Sequence, residues 1–181
     1  WRLPAACVVS AELPVLTTEH LTLVPPGVAC WDAYRQFYTD EAASKMYGGP
    51  LSVSAAWARL ASDLGAWHLQ CFGVWVIQRQ REQDFVGTCG FWQGKGWPRE
   101  LTWWLLPVAR GSGIATEASR AAIDFAYDSL NWSSVETYMN DDNDAARALA
   151  VRLGARYTDR RMFPDGLQRD VFLFPRSNNA T

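Results

Sequence analysis

With 181 residues, 49% of them hydrophobic and 20% charged, the sequence suits one compact domain with a sizeable core. A net charge of −2 argues against nucleic acid as a main partner, and the absence of an apolar run of about 18 residues argues against a membrane span. Four cysteines at unrelated spacings (Cys7, Cys30, Cys71, Cys89) and two histidines leave no expected metal site and suit a reducing, cytoplasmic setting.

Residues 1–15 read as an N-terminal extension. Trp1–Ser10 has a short apolar stretch but no basic start, so we expect disorder or loose docking in preference to a signal-peptide remnant. Leu21–Val24 reads as a short strand closed by Pro25-Pro26. Trp31–Tyr38 is helical, with Trp31, Tyr34 and Phe37 at helix spacing, and Met46–Pro50 is a turn-rich link. Ser54–Leu64 is a second helix, expected to bury Trp57, Leu60, Ala61 and Leu64. Phe72–Arg79 and Phe85–Trp92 are apolar strands joined in a hairpin around Arg81–Asp84. Glu100–Leu106 is a fourth strand, and Ala115–Leu130 a helix with Ile114, Ala118, Ala122 and Phe125 on its apolar face. Val135–Met139 is a strand, and Asp144–Leu153 a helix ended by Gly154. Tyr157–Met162 and Asp170–Phe174 form a last hairpin, and 176–181 is a polar tail. Two hairpins rule out a wholly parallel sheet, so an α/β fold with a mixed sheet and helices on both faces is expected over residues 16–175.

Arg110-Gly111-Ser112-Gly113-Ile114-Ala115 carries the most chemistry. A strand here feeds a glycine turn that opens a helix. The first N–H groups of a helix lack acceptors, and the dipole favours an anion there. Glycine lets the backbone approach a phosphate closely. The segment therefore predicts a phosphate-bearing ligand, most simply a pyrophosphate. A Walker loop does not fit, because Gly90–Gly96 is one residue short and has Gly96 after Lys95. A dinucleotide fingerprint does not fit either, because Gly111–Thr116 ends in Thr.

Arg110–Ala115 resembles the acyl-coenzyme A loop of the GNAT N-acetyltransferase superfamily, Q/R-x-x-G-x-G/A. Thr18–Leu23, Glu100–Pro107 and the later Asn143-Asp144-Ala145-Ala146, Leu149 and Leu153-Gly154-Ala155 resemble that family's flanking segments in the same order. The likeness is greatest to the branch that includes ribosomal-protein N-terminal acetyltransferases. It implies a mostly antiparallel central sheet with splayed central strands, and acetyl-coenzyme A as cofactor. It also implies that the backbones of Trp104 and Leu105 meet the pantetheine arm. The N–H groups of Gly111, Ser112, Gly113, Ile114, Ala115 and Thr116, with Arg110 opening the motif, would hold the pyrophosphate. The Leu105 N–H would polarise the thioester carbonyl.

The implied reaction is direct attack of an amine on the acetyl thioester, which needs no covalent enzyme intermediate. Glu100 is the candidate base, with a solvated strand-end carboxylate as the alternative reading. Asn143 matches the motif asparagine on the cofactor side and also suits a plain helix N-cap. The family's usual proton donors are missing, because Ala146 and Ala150 stand at those positions. Tyr138 and Tyr157 are possible substitutes. Val24 stands where the branch usually has Arg. His68 is an alternative base, and His20 a weaker candidate. Among the ten tryptophans, Trp67, Trp75, Trp92, Trp97, Trp103 and Trp104 fall near the expected cleft, and one of the adjacent pair should be core.

The expected acceptor is an amine: a protein N-terminus, a small metabolite or an aminoglycoside-like antibiotic, the last permitted but not demanded by acidic residues such as Asp141, Asp142 and Asp144. The expected assembly is a monomer or homodimer. The rival reading is a non-catalytic acyl-coenzyme A sensor, which a cleft sealed by the Trp67–Trp75 segment would favour.

Overall fold

A computed structural model describes residues 12–177. Most of the N-terminal extension and of the tail lie outside the described residues. Pro14 is docked, however: its carbonyl accepts from Trp75 Nε1 at 2.8 Å. At the other end Arg176 pairs with Asp128 at 2.8 Å.

Among the described residues, eight strands form two sheets. β1 (Leu16–Thr17), β2 (Leu21–Val24), β3 (Val74–Arg79), β4 (Phe85–Trp92) and β5 (Glu100–Leu105) lie in sequence order. β6 (Val135–Met139), β8 (Gln168–Phe174) and β7 (Arg156–Met162) form the second sheet, in the order β6-β8-β7. Every hydrogen-bonded pair is antiparallel. No ladder joins β5 to β6, although the two strands are neighbours. This break is the splay that the resemblance implied.

Helices cover both faces. α1 (Trp31–Thr39), the short α2 (Glu41–Ser44) and α3 (Val53–Gln70) bury Tyr34, Phe37, Tyr38, Ala56 and Leu60 against Val76, Trp104 and Leu106. Phe37 stacks on Trp104 with ring centroids 4.2 Å apart. α4 (Ile114–Asp128) and α5 (Asp144–Arg152) cover the other face, over Cys89, Phe91, Leu101, Leu105 and Phe172. Burying side chains of this size stabilises by about 1.5–3 kcal/mol each.

One helix face differs from expectation. The buried stripe of α3 is Ala56, Leu60, Asp63 and Trp67, at helical spacing, and the helix runs on to Gln70. Trp57 is 48% exposed and meets Trp31 edge-on at 5.3 Å outside that stripe. The helix ends where Cys71 takes a left-handed φ of 63°.

Candidate functional site

The gap between β5 and β6 exposes backbone. The Leu106 N–H bonds the Val86 carbonyl at 2.8 Å. Hydrogen-bonded pairs alternate along an antiparallel ladder, so the Thr88↔Trp104 register commits the Trp104 backbone to β4. The polar groups of Trp103 and Leu105 point the other way, into the gap. Two of them are capped: the Tyr47 hydroxyl donates to the Trp103 carbonyl, and Arg110 Nε donates to the Leu105 carbonyl at 3.2 Å. The N–H groups of Trp103 and Leu105 are left facing the gap. Leu105 thus presents its N–H to the gap. The Trp104 backbone, expected to do the same, is paired to β4 and its indole is core; the Trp103 N–H faces the gap in its place.

At the end of that gap is the glycine loop. A 3-10 turn, Pro107–Ala109, leads into Arg110. Gly111 and Gly113 adopt φ of 79° and 83°, which glycine tolerates without strain. A Cβ at either position would meet nothing within 4 Å, so the space above the loop is open. Ser112 Oγ donates to the Ala109 carbonyl at 2.9 Å and braces the turn, as Arg110 does through Leu105. α4 starts at Ile114 with no side-chain cap on its first N–H groups. Inside its first turn, Thr116 Oγ1 is buried without a partner, the one such side-chain atom among the described residues. Free N–H groups, an orphaned hydroxyl and open space over two glycines together fit a pyrophosphate.

Glu117, in the same turn, is tied to the β1–β2 connection. It accepts from Thr18 Oγ1 at 2.5 Å, the His20 N–H at 2.9 Å and His20 Nδ1 at 3.1 Å. Burial pushes its carboxyl up, but these bonds outweigh that and hold it below the usual range. His20 is thus engaged away from the cleft.

A cleft of about 500 Å³ meets the gap from the side of α1–α3. Its lining includes Glu100, Tyr138, Trp97, Arg169, Tyr47 and Asp63. Glu100, half-buried, lines the cleft with Tyr138, whose hydroxyl donates to the Pro98 carbonyl at 3.4 Å. Burial pushes the Glu100 carboxyl up to about 8, against the influence of Tyr138 and the Arg169 guanidinium, which favour the charged form. Arg169 is 9% exposed, held by Asn140 at 2.8 Å and by Asp165 at 2.6 Å. The Tyr138 ring packs on Phe163 at 4.2 Å and on Trp97 at 6.1 Å, which fixes its hydroxyl beside Glu100.

Other expected residues are placed differently. His68 and Tyr157 are exposed and do not line the cleft. Asn143 lines it and caps α5, accepting from the Ala146 N–H at 3.1 Å. Ala146 also lines the cleft, while Ala150 is fully buried. Trp92, Trp97, Trp103 and Trp104 line the cleft, whereas Trp67 and Trp75 are core and pack on each other at 4.7 Å. Asp141 is tied to Arg160 at 2.7 Å and does not line the cleft. Tyr47, Asp63 and Arg169 were not singled out from sequence. Asp63 breaks an otherwise apolar helix face, a signal that reading the stripe from Trp57 conceals.

The family model for the acetyltransferase (GNAT) domain matches residues 20–156. The chain belongs to the GNAT acetyltransferase family. Solved GNAT-type structures superpose along most of its length. An acetyltransferase from Agrobacterium tumefaciens str. C58 is 28% identical with a TM-score of 0.82, over 95% of this chain and 100% of that one. A putative GnaT-family acetyltransferase from Bordetella pertussis is 25% identical with a TM-score of 0.74, over 90% and 99%. The ribosomal L7/L12 alpha-N-protein acetyltransferase RimL, in complex with coenzyme A, shares the fold at 12% identity and a TM-score of 0.71, over 92% and 99%. Among the described residues no helix of this GNAT protein is long and apolar enough to cross a membrane, and no group of metal-ligating side chains occurs.

Proposed function

We propose that the chain transfers an acetyl group from acetyl-coenzyme A to a primary amine, by direct attack in a ternary complex. The observation that carries this is the meeting of two features: the gap holding the Leu105 N–H, and an open cleft holding Glu100. The coenzyme supplies the acetyl thioester. Arg110–Thr116 hold its pyrophosphate through backbone N–H groups and the Thr116 hydroxyl. The N–H groups of Trp103 and Leu105 face the pantetheine arm, Leu105 serving as donor to the carbonyl oxygen. Glu100 takes the proton the amine loses, directly or through water. As the amine nitrogen bonds the acetyl carbon, the carbon–sulfur bond breaks and the thiolate leaves. Tyr138 stands beside Glu100 and is the available hydroxyl to protonate it, in place of the donors that Ala146 and Ala150 lack.

The non-catalytic sensor reading has Ala146 and Ala150 in its favour. Against it, Trp67 and Trp75 are core, and of the segment between them only Val74 lines the cleft, which stays open beside Glu100. Thiol release on mixing the protein, acetyl-coenzyme A and a panel of N-terminal peptides, diamines and aminoglycosides separates the two. Acceptor-dependent release supports the enzyme; coenzyme binding with no release across the panel supports the sensor.

A further inference from the structure

Asp63 is an unusual carboxylate for its position. It lies on the buried stripe of α3, 8% exposed, among Ala56, Leu60 and Trp67. Buried carboxylates are normally paired with a cation or fully hydrogen-bonded. Among the described residues Asp63 has no ion pair, and its hydrogen bond is from the Tyr34 hydroxyl to Oδ2, at 2.8 Å. A carboxylate has about four acceptor sites, so most of this one's capacity is unspent. Arg59, one turn earlier, is not within ion-pair distance; its guanidinium lies over the Tyr38 ring, 5.5 Å from the centroid. Asp63 lines the same cleft as Glu100. An under-used carboxylate there favours a cation.

We propose that the Asp63 end of the cleft is a subsite for a second cationic group of the acceptor. The favoured acceptors are then diamines, or amines with a neighbouring ammonium or guanidinium group. One amine meets Glu100 and is acetylated; the other charge is held by Asp63. Arg59 is the competing cation at the rim. This rests on the reading of the cleft as an amine acceptor site.

The test is calorimetric titration of putrescine and butylamine, which share a carbon chain and differ in the second amine. The proteins are the wild type, Asp63→Asn and Arg59→Ala. Wild type binds putrescine roughly tenfold or more tighter than butylamine, as one charge-assisted pair requires. Asp63→Asn, whose amide oxygen still accepts from Tyr34, removes that difference. Arg59→Ala enlarges it. Equal affinities in the wild type, or a preference that survives in Asp63→Asn, overturn the proposal. If Asp63→Asn does not fold, a preference that fails to grow in Arg59→Ala overturns it equally. Acetyl-coenzyme A affinity, measured on the same wild-type sample, is an independent readout: its absence sinks the acetyl-transfer reading and leaves the amine comparison interpretable.

Discussion

Glu100, the first residue of β5, and Tyr138 of β6 line one cleft where the two sheets part. The Tyr138 hydroxyl favours the charged form of Glu100. Tyr138→Phe removes that influence, so the Glu100 carboxyl rises further above about 8. The pH–rate profile then moves to higher pH and kcat falls by about tenfold or more. An unshifted profile with unchanged kcat removes Tyr138 from the mechanism.

The base assignment predicts a rate that climbs with pH and levels above about 8, as Glu100 loses its proton. Glu100→Gln lowers kcat by about a hundredfold or more and flattens that limb, with acetyl-coenzyme A affinity preserved. Steady-state rates over pH 6–9 check this, and a variant retaining wild-type kcat would falsify the assignment.

The same carboxyl links stability to pH. Its folded value, raised by burial, exceeds the ordinary 4.5, so the folded state holds the proton more tightly than the unfolded. The associated stability is present below about 4.5 and is lost as pH rises through about 8. Asp63, raised by burial from 3.8 to about 6, acts with the same sign over a lower window. Glu100→Gln should therefore raise Tm at pH 8 more than at pH 5. An equal change at both pH values contradicts the burial account.

Thr116 separates stability from binding. Its orphaned, buried hydroxyl costs free energy in the ligand-free protein. Thr116→Val keeps the shape, so unfolding should show a gain of about 1 kcal/mol. Acetyl-coenzyme A affinity should fall in the same variant. A variant that gains stability with affinity unchanged shows that the hydroxyl does not serve the pyrophosphate.

The strands, the main helices and the glycine loop were legible because each has a strong local signal. β4, Phe85–Trp92, is an apolar run between turn residues, and Gly111 and Gly113 punctuate a strand and a helix. β1 and α2 are too short for periodicity to show. The α3 face was misjudged because Trp57 outweighs Ala56 in an apolar pattern, although Ala56 is the residue that fits against the sheet. Trp104 was misjudged for a different reason. Whether a backbone faces the gap or the next strand depends on ladder register, and the neighbouring Trp103 differs from it only by the alternation of hydrogen bonds. Glu100 was visible as a strand-end acid, but its partner Tyr138 comes from a strand of the other sheet, and pattern alone does not set that distance.

The central claim is that the loop from Arg110 to Thr116 holds the pyrophosphate of acetyl-coenzyme A. Calorimetric titration of acetyl-coenzyme A into wild type and Gly113→Asp tests it most directly. The account predicts micromolar binding to the wild type, about −8 kcal/mol. It predicts no measurable binding to the variant, whose carboxylate would occupy the open space above the loop. Thermal unfolding confirms that the variant is folded. Equal affinity in the two proteins, or none in a folded wild type, contradicts the account.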